Sequence, residues 1–296
     1  MSQFIQLLAK TVVGQVDTFS QATLRKVTSY FSSYRPTVSF NELTGSPTFS
    51  ITVDSDRQEE SLKHIFEYLK QSDKRIYIAI DEFQQIAEYP EKGTEALLRS
   101  YIQFFPNVYF IFAGSSQHLM SEMFLSAKRP FYQSSQIMSL PLIDVGEYEV
   151  FANRWLKQKG IEISDSDFRY IYDLVDGQTW YVQSILNRLY ENGENIDKQT
   201  IVRIVENTIN EQEDAFINYC KSISDNQAAL VVAIAKEKGV ASVLSQKFIR
   251  KYRLPAASSV SLALKALRKR DFVHDFNGKI IVYDRFFSIW LRRETE

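Results

Sequence analysis

The first half of the chain combines short apolar runs with segments of helical periodicity. Two short apolar runs, "IYIAI" at 76–80 and "VYFIFAG" at 108–114, have the length and the β-branched and aromatic content of buried strands. Helical spacing covers 59–70, before the first run, and 94–105, between the two. Strands that alternate with helices predict parallel pairing, because a parallel crossover needs a dozen or more residues. The pattern therefore predicts an α/β fold.

Further elements are predicted along the same half. Helical periodicity runs from the first residues to about residue 31, and "TVSFNELTGSPTFSITV" at 37–53 has the pattern of a β-hairpin around a Gly-Ser-Pro turn. The segment "QIMSLPLI" at 136–143 has the apolar pattern of a third sheet strand. From 146 to 222 the periodicity predicts helices only.

The carboxyl-terminal part has a different organisation. Three helices are predicted at about 226–238, 242–252 and 256–270, and "FVHDFNGKIIVYD" follows them. That segment predicts two strands around an Asn-Gly turn. Three helices and a β-hairpin indicate a winged helix-turn-helix.

Composition and charge exclude several classes of protein. A chain of 296 residues with 45% apolar content fills one large core or two ordinary ones. The longest apolar run, "AALVVAIA", is too short to span a bilayer, so we expect a cytoplasmic protein with no membrane partner. One cysteine excludes an internal disulfide, and the three histidines show no metal-ligand spacing. A net charge of −1 argues against a uniformly polyanion-binding surface.

Two adjacent carboxylates, Asp81 and Glu82, follow the first apolar strand. At about 5 Å and an effective dielectric of ~20, two such charges repel by about 3 kcal/mol, so a cation, a positive helix end or solvent must compensate. Four apolar residues followed by Asp-Glu form the Walker B pattern, in which the aspartate holds Mg²⁺ and the glutamate polarises water. The alternative is a solvated pair that caps the next turn.

Two serines follow the second apolar strand, in "AGSSQ". Parallel strands end at the same edge of a sheet, so Ser115 and Ser116 are expected beside Asp81, where ligands of open α/β sheets bind. A hydroxyl there would contact a γ-phosphate or the attacking water, as a sensor residue does. The equally weighted alternative is an N-cap for a helix that starts at Gln117.

Four segments carry a family resemblance: "YIAIDEFQQIAEYPEKGTEALLRSYIQ", "FIFAGSSQHLMSEMF", "RPFYQ" and "VYDRFFSIWLR". Together they resemble prokaryotic P-loop ATPases, the AAA+/STAND-like proteins of the archaeal-type ATPase group. The resemblance implies ATP and Mg²⁺ as cofactors, with Asp81 at the Mg²⁺ site, Glu82 as the catalytic glutamate and Ser115 or Ser116 as the sensor. It also implies that "DGQTWYVQ", at 176–183, opens a lid helix.

The resemblance further implies three domains and an incomplete parallel sheet of the ASCE-type P-loop NTPase fold. Residues 1–145 would form a partial ATPase core with the Walker B and sensor strands, 146–222 a helical lid, and 223–296 the winged helix. Nucleotide state would drive lid and winged-helix movement, and a protein partner or a homo-oligomer is a further expectation. Arg129 is a candidate for approaching the nucleotide phosphates on its own or a neighbouring subunit. Arg99 is an equal candidate, and an ion pair is the alternative for each.

A phosphate-cradling loop is missing from these residues. The pattern GxxxxGK followed by Ser or Thr needs two glycines five positions apart, whereas the closest pair among the ten glycines, Gly146 and Gly160, is fourteen apart. The only Gly-Lys pair, Gly278 and Lys279, precedes Ile280 in the predicted wing. We therefore expect the chain to be the carboxyl-terminal portion of a longer ATPase, and residues 1–296 to be inactive by themselves.

A basic segment, "KFIRKYRLPAASSVSLALKALRKR" at 247–270, contains eight Lys or Arg residues and no acidic one. Helical spacing places its apolar residues on one face of the third predicted helix of this part. The opposite face carries the candidate nucleic-acid-binding residues: Ser258, Ser261, Lys265, Arg268 and Lys269. DNA is thus a candidate partner. The alternative to the ATPase hypothesis is a nucleotide-independent, DNA-binding or protein-binding winged-helix regulator.

Overall fold

The computed structural model describes residues 1–16, 37–40, 47–53, 55–105 and 107–295. The chain divides into two compact units, Met1–Met138 and Ser139–Glu296. Each unit has its own hydrophobic core. No helix in the described ranges is both long enough and apolar enough to cross a membrane.

The first unit combines helices with two small sheets. Its elements in chain order are α1 (Ser2–Val16), β1 (Thr37–Phe40), β2 (Pro47–Ser50), α2 (Gln58–Lys70), β3 (Ile76–Ile80), α3 (Thr94–Ile102), β4 (Val108–Phe112) and α4 (Gln117–Leu125). Strands β1 and β2 pair antiparallel, which confirms the predicted hairpin; its turn lies outside the described residues. Of the helix predicted to reach residue 31, the part after residue 16 also lies outside them.

The central sheet of this unit pairs β3 with β4 in parallel, as predicted. Ile76 lies opposite Val108, and Ile80 lies opposite Phe112. One face packs on the core, while the other leaves Tyr77, Tyr109 and Ile111 exposed. Beneath the carboxyl ends of the strands lie four phenylalanine rings with centroid separations of 4.3–5.9 Å: Phe83, Phe112, Phe124 and Phe131.

The prediction of a further strand at 136–143 is wrong. These residues form neither helix nor strand, and Ile137, Met138 and Leu140 are exposed. An apolar pattern supplies the side chains of a strand, but a strand also needs a neighbour whose backbone N–H and C=O groups pair with its own. In the described residues the parallel sheet has only β3 and β4, and 136–143 pairs with neither.

The second unit is helical except for one hairpin. Its elements are α5 (Val145–Leu156), α6 (Asp165–Leu174), α7 (Thr179–Asn192), α8 (Lys198–Glu211), α9 (Glu213–Lys221), α10 (Asp225–Lys236), α11 (Gln246–Lys251), α12 (Ala257–Lys269), β5 (Val273–Phe276), β6 (Lys279–Val282) and α13 (Arg285–Glu294). Asn277 and Gly278 join β5 to β6 with φ of 49° and 75°, as a type I′ turn requires. Helices α10 to α12 and this hairpin confirm the winged helix.

One continuous core joins the predicted lid to the winged helix. Buried residues from α5 through α13 form a single cluster. On α7, the rings of Trp180 and Tyr181 lie 6.2 and 5.1 Å from the ring of Phe286 on α13. The side chain of Arg285, only 3% exposed, donates to the carbonyl of Val282 and lies 3.4 Å from the carboxylate of Asp176. The start of α13 is therefore linked to α7 by apolar contacts and to the segment before α7 by an ion pair.

His274, on β5 of the winged helix, is a titratable group whose pKa is lowered by burial. Its ring packs edge-on against Tyr283 at 5.2 Å, and its Nδ1 is buried without a hydrogen-bond partner among the described residues. Burial, and then the charge of Arg285, lower the pKa of His274 from 6.5 to about 4, although Asp275 acts in the opposite direction. The folded unit therefore favours the neutral imidazole.

This gives a prediction for stability against pH. Between pH 6.5 and 4 the unfolded chain binds a proton that folded His274 excludes, so the free energy of unfolding should fall as the pH drops through this window. The expected loss is about 1–3 kcal/mol, because one pKa unit corresponds to about 1.4 kcal/mol and the ring keeps partial exposure. His274→Phe keeps an aromatic ring but cannot bind a proton. It should therefore reduce the difference between the free energies of unfolding measured by urea titration at pH 7 and pH 4.5. The exposed His118→Phe is the control; an equal effect there would contradict the prediction.

Candidate functional site

The carboxyl ends of β3 and β4 meet at one edge of the parallel sheet. Backbone bonds continue the ladder past both strands: the Ala113 N–H donates to Ile80 O, and the Phe83 N–H donates to Ala113 O, each at 2.9 Å. These bonds hold the residues that follow the two strands side by side. We call the group formed there by Asp81, Glu82, Gln84, Gly114 and Ser115 the carboxyl-end cluster.

Glu82 is the best-connected side chain of this cluster. Its Oε2 accepts from the Ser115 hydroxyl at 2.8 Å and from Gln84 Nε2 at 2.5 Å. The Ser115 hydroxyl, and next the Gln84 amide, hold the pKa of Glu82 below its ordinary value, so the group is ionised at neutral pH. Its backbone has φ of 50°, in the left-handed region that non-glycine residues seldom adopt. The predicted proximity of the strand ends is confirmed at this pair.

Asp81 projects into solvent beside Glu82. Its Oδ1 accepts from the Glu82 backbone N–H at 2.9 Å. Hydrogen-bond donors therefore supply part of the compensation that the paired carboxylates need. Among the residues that the structure describes, no three His, Cys, Asp or Glu side chains converge on one point. Mg²⁺ prefers oxygen ligands and usually takes only one or two carboxylates beside substrate phosphates and water, so this pair fits it chemically.

Ser116 occupies the position before α4, where the alternative prediction expected an N-cap. Its carbonyl accepts from the Met120 N–H at 3.0 Å, but its side chain makes no capping bond. Ser116 therefore occupies the N-cap position of α4, but its hydroxyl does not cap the helix. Ser115, not Ser116, bonds to Glu82.

Arg129 makes ion pairs within the first unit. Its Nη2 lies 2.5 Å from Glu95 Oε1, and its Nη1 lies 3.7 Å from Glu122. Burial raises the pKa of Glu95 more than the charge of Arg129 lowers it. The contacts are those of the ion-pair alternative, and an approach of Arg129 to phosphate stays a prediction.

The basic face predicted on the winged helix lies on α12. Ser258, Ser261, Lys265 and Lys269 are exposed there, and the apolar residues predicted for the other face are buried. Arg268 differs from the other candidates, because its Nη2 lies 2.8 Å from Asp275 on β5. Part of its charge is thus used within the winged helix.

Two members of the carboxyl-end cluster were not predicted from the sequence. Gln84 is only 6% exposed, and its Oε1 has no hydrogen-bond partner in the described ranges. At Gly114 a Cβ atom would lie 2.2 Å from that Oε1, so no other residue fits there without displacing the amide. The available signal was an amide two positions after Glu82 and a glycine directly before the two serines.

Comparisons with known proteins support a nucleotide-hydrolase fold. Residues 1–185 match the family model described as "ATPase domain predominantly from Archaea", and 214–293 match "Probable winged helix domain". The Walker-type ATPase PABY2304 of Pyrococcus abyssi is similar in structure, with a TM-score of 0.59 and 17% identity over 97% of this chain and 79% of that one. At this identity the likeness concerns the fold.

Weaker structural matches include two mutants of RuvB from Thermotoga maritima. Both have a TM-score of 0.40 and 16% identity over 78% of this chain, and they are covered over 74% and 83% of their own lengths. No curated protein matches the sequence. The ATPase model covers more than half of the chain and includes the carboxyl-end cluster. The chain therefore belongs to the family of ATPase domains found predominantly in Archaea, within the P-loop NTPases, and carries a winged helix domain in its carboxyl-terminal part.

Proposed function

We propose that the chain is the hydrolytic and carboxyl-terminal portion of an AAA+/STAND-like ATPase, with Asp81 and Glu82 as its Walker B pair. Glu82 polarises the attacking water. Ser115 acts as the sensor, because its hydroxyl would contact the γ-phosphate while it lies beside Glu82. The observation that carries this proposal is the 2.8 Å hydrogen bond between Ser115 and Glu82 at the carboxyl edge of a parallel sheet. Open α/β sheets bind their ligands at that edge.

Asp81 is the residue that would hold Mg²⁺. Its exposure and its carboxylate oxygens suit a cation that keeps several water ligands. When bound, Mg²⁺ neutralises charge on the ATP phosphates. Arg129 would reach a phosphate only after leaving Glu95, whose carboxylate it now neutralises.

ATP binding requires a phosphate cradle that these 296 residues do not contain. One or two carboxylates depend on substrate phosphates to complete a Mg²⁺ site, and the phosphates need backbone N–H groups and a lysine to hold them. The proposal therefore includes a glycine-rich loop from residues outside this sequence. Nucleotide state would then be coupled to movement of the lid and the winged helix.

The first test is ATP turnover. Residues 1–296 are expected to release no phosphate from MgATP above a protein-free blank, because the cradle is missing. Turnover that Glu82→Gln abolishes in this same chain would contradict the expected inactivity.

The second test supplies the cradle. We expect the DNA upstream of the first codon to encode GxxxxGK followed by Ser or Thr in frame, and the longer polypeptide to hydrolyse ATP. In that polypeptide Glu82→Gln should lower kcat by about 100- to 10,000-fold, the usual contribution of a positioned general base. Glu88→Gln, an exposed neighbour, is the matched control. An upstream frame that lacks the loop, or full turnover by the Glu82 variant, would remove the proposal.

A second candidate function is nucleotide-independent binding of DNA by α12. The supporting observation is the exposure of Lys265 and Lys269 beside Ser258 and Ser261, in a segment without acidic residues. Lysines on one helix face contact phosphates, and the serines at the start of that helix reach base edges or phosphates. The ion pair between Arg268 and Asp275 positions the wing beside this face.

This second function has its own test. Lys265→Glu/Lys269→Glu should weaken duplex DNA binding at every salt concentration and should reduce the slope of log K against log salt by about 2, one unit for each lost phosphate contact. Lys63→Glu/Lys70→Glu, on α2 in the other unit, changes the net charge equally and should leave the slope unchanged. Equal effects of both double variants, or none from the first, would count against DNA contact by α12.

A further inference from the structure

The buried side-chain amide of Gln84 destabilises the fold at one of its two ends. Its side chain is 6% exposed, and its Oε1 finds no hydrogen-bond partner in the described part of the chain. A buried acceptor left in this state costs about 1–3 kcal/mol. Methionine has nearly the same length and no such group, so packing by itself does not account for a glutamine.

The other end of the same amide holds Glu82. Gln84 Nε2 donates to Glu82 Oε2 at 2.5 Å, and the Ser115 hydroxyl donates to the same oxygen at 2.8 Å. Two side-chain donors on one oxygen restrict the rotation of the carboxylate, and the backbone of Ser115 also hydrogen-bonds to it. The described side chains donate only to Oε2. The Glu82 side chain starts from a left-handed backbone, with φ of 50°, at the edge of the sheet.

Gly114 makes room for this arrangement. A Cβ atom there would lie 2.2 Å from Gln84 Oε1 and 2.7 Å from Met120 Sδ. The strand end that supplies Ser115 therefore also supplies the gap that admits the amide. The segment with Gln84 and the segment with Gly114 and Ser115, about thirty residues apart in the sequence, therefore both help to hold the Glu82 carboxylate.

We propose that Gln84 is a positioning residue, which, seated against Gly114, holds the Glu82 carboxylate by Oε2 and leaves Oε1 for the attacking water. The use of Oε1 rests on the function proposed above, whereas the positioning itself does not. Gln84 contacts neither nucleotide nor metal in this role; it acts through Glu82.

The experiment uses residues 1–296 without nucleotide. Nuclear magnetic resonance provides two readouts: three-bond couplings that report the χ1 rotamer of Glu82, and the side-chain amide resonances of Gln84. Thermal unfolding provides the third. The variants are Gln84→Met and Gly114→Ala, with Gln85→Met, an exposed neighbour, and Gly146→Ala, whose Cβ meets only Asp144 Oδ1 at 3.3 Å, as matched controls.

In Gln84→Met we expect the Glu82 couplings to move from one rotamer toward the average of several, while Tm stays equal or rises by up to about 4 °C, since the unpaired acceptor is gone. In Gly114→Ala we expect the same coupling change with a lower Tm and a Gln84 amide that resonates like an exposed one. Both controls should leave the Glu82 couplings unchanged.

Glu82 couplings that do not change in Gln84→Met would overturn the proposal. A loss of Tm with those unchanged couplings would show that Gln84 is a packing residue. If Gly114→Ala does not fold, Gln84→Met decides. None of the readouts uses ATP, so the two proposals can fail separately. A longer polypeptide that carries the glycine-rich loop and still fails to hydrolyse ATP would refute the proposed function and the use of Oε1, but not the positioning of Glu82 by Gln84. Hydrolysis by that polypeptide together with unchanged Glu82 couplings in Gln84→Met would refute the positioning and leave the proposed function standing.

Discussion

The parallel, in-register pairing of β3 with β4 is the constraint on which the candidate site depends. Because Ile80 lies opposite Phe112, the residues that follow the two strands emerge together, and Glu82 meets Ser115. A shift of one residue would turn every side chain of a strand to the opposite face. The Phe83–Phe112 ring contact, at 4.3 Å, would then be lost to the exposed face. The register of the two strands thus sets the geometry of the polar cluster.

In the described part of the first unit, no ion pair joins the carboxylates of this cluster to a basic side chain. Hydrogen-bond donors from Ser115, Gln84 and the Glu82 backbone satisfy carboxylate oxygens but bring no positive charge. Arg129, the basic candidate from the sequence, is paired with Glu95. Two adjacent carboxylates held by neutral donors therefore keep their attraction for a cation, which is the property that a Mg²⁺-dependent hydrolase needs at this edge.

The sequence predicted what depends on local periodicity. The bounds of β3 follow from a short apolar run, and its parallel pairing follows from the alternation of strands and helices. The hairpin of the wing follows from an Asn-Gly turn, and the buried face of α12 follows from a period of 3.6 residues. The sequence did not predict contacts between side chains far apart in the chain. The Gln84 amide against Gly114 and Arg268 against Asp275 need tertiary positions. Segment 136–143 was misassigned because an apolar pattern says nothing about whether a partner strand exists.

The core of the second unit limits how any nucleotide-driven movement can proceed. Buried residues run without interruption from α5 to α13, and Phe286 contacts both Trp180 and Tyr181 of α7. Separating the predicted lid from the winged helix would expose this apolar surface, at a cost of about 25 cal/mol for each Å², and would break the ion pair between Arg285 and Asp176. Close packing also means that such a core shifts as a body and does not deform gradually. Any movement of the predicted lid that keeps this core intact must therefore carry the winged helix with it.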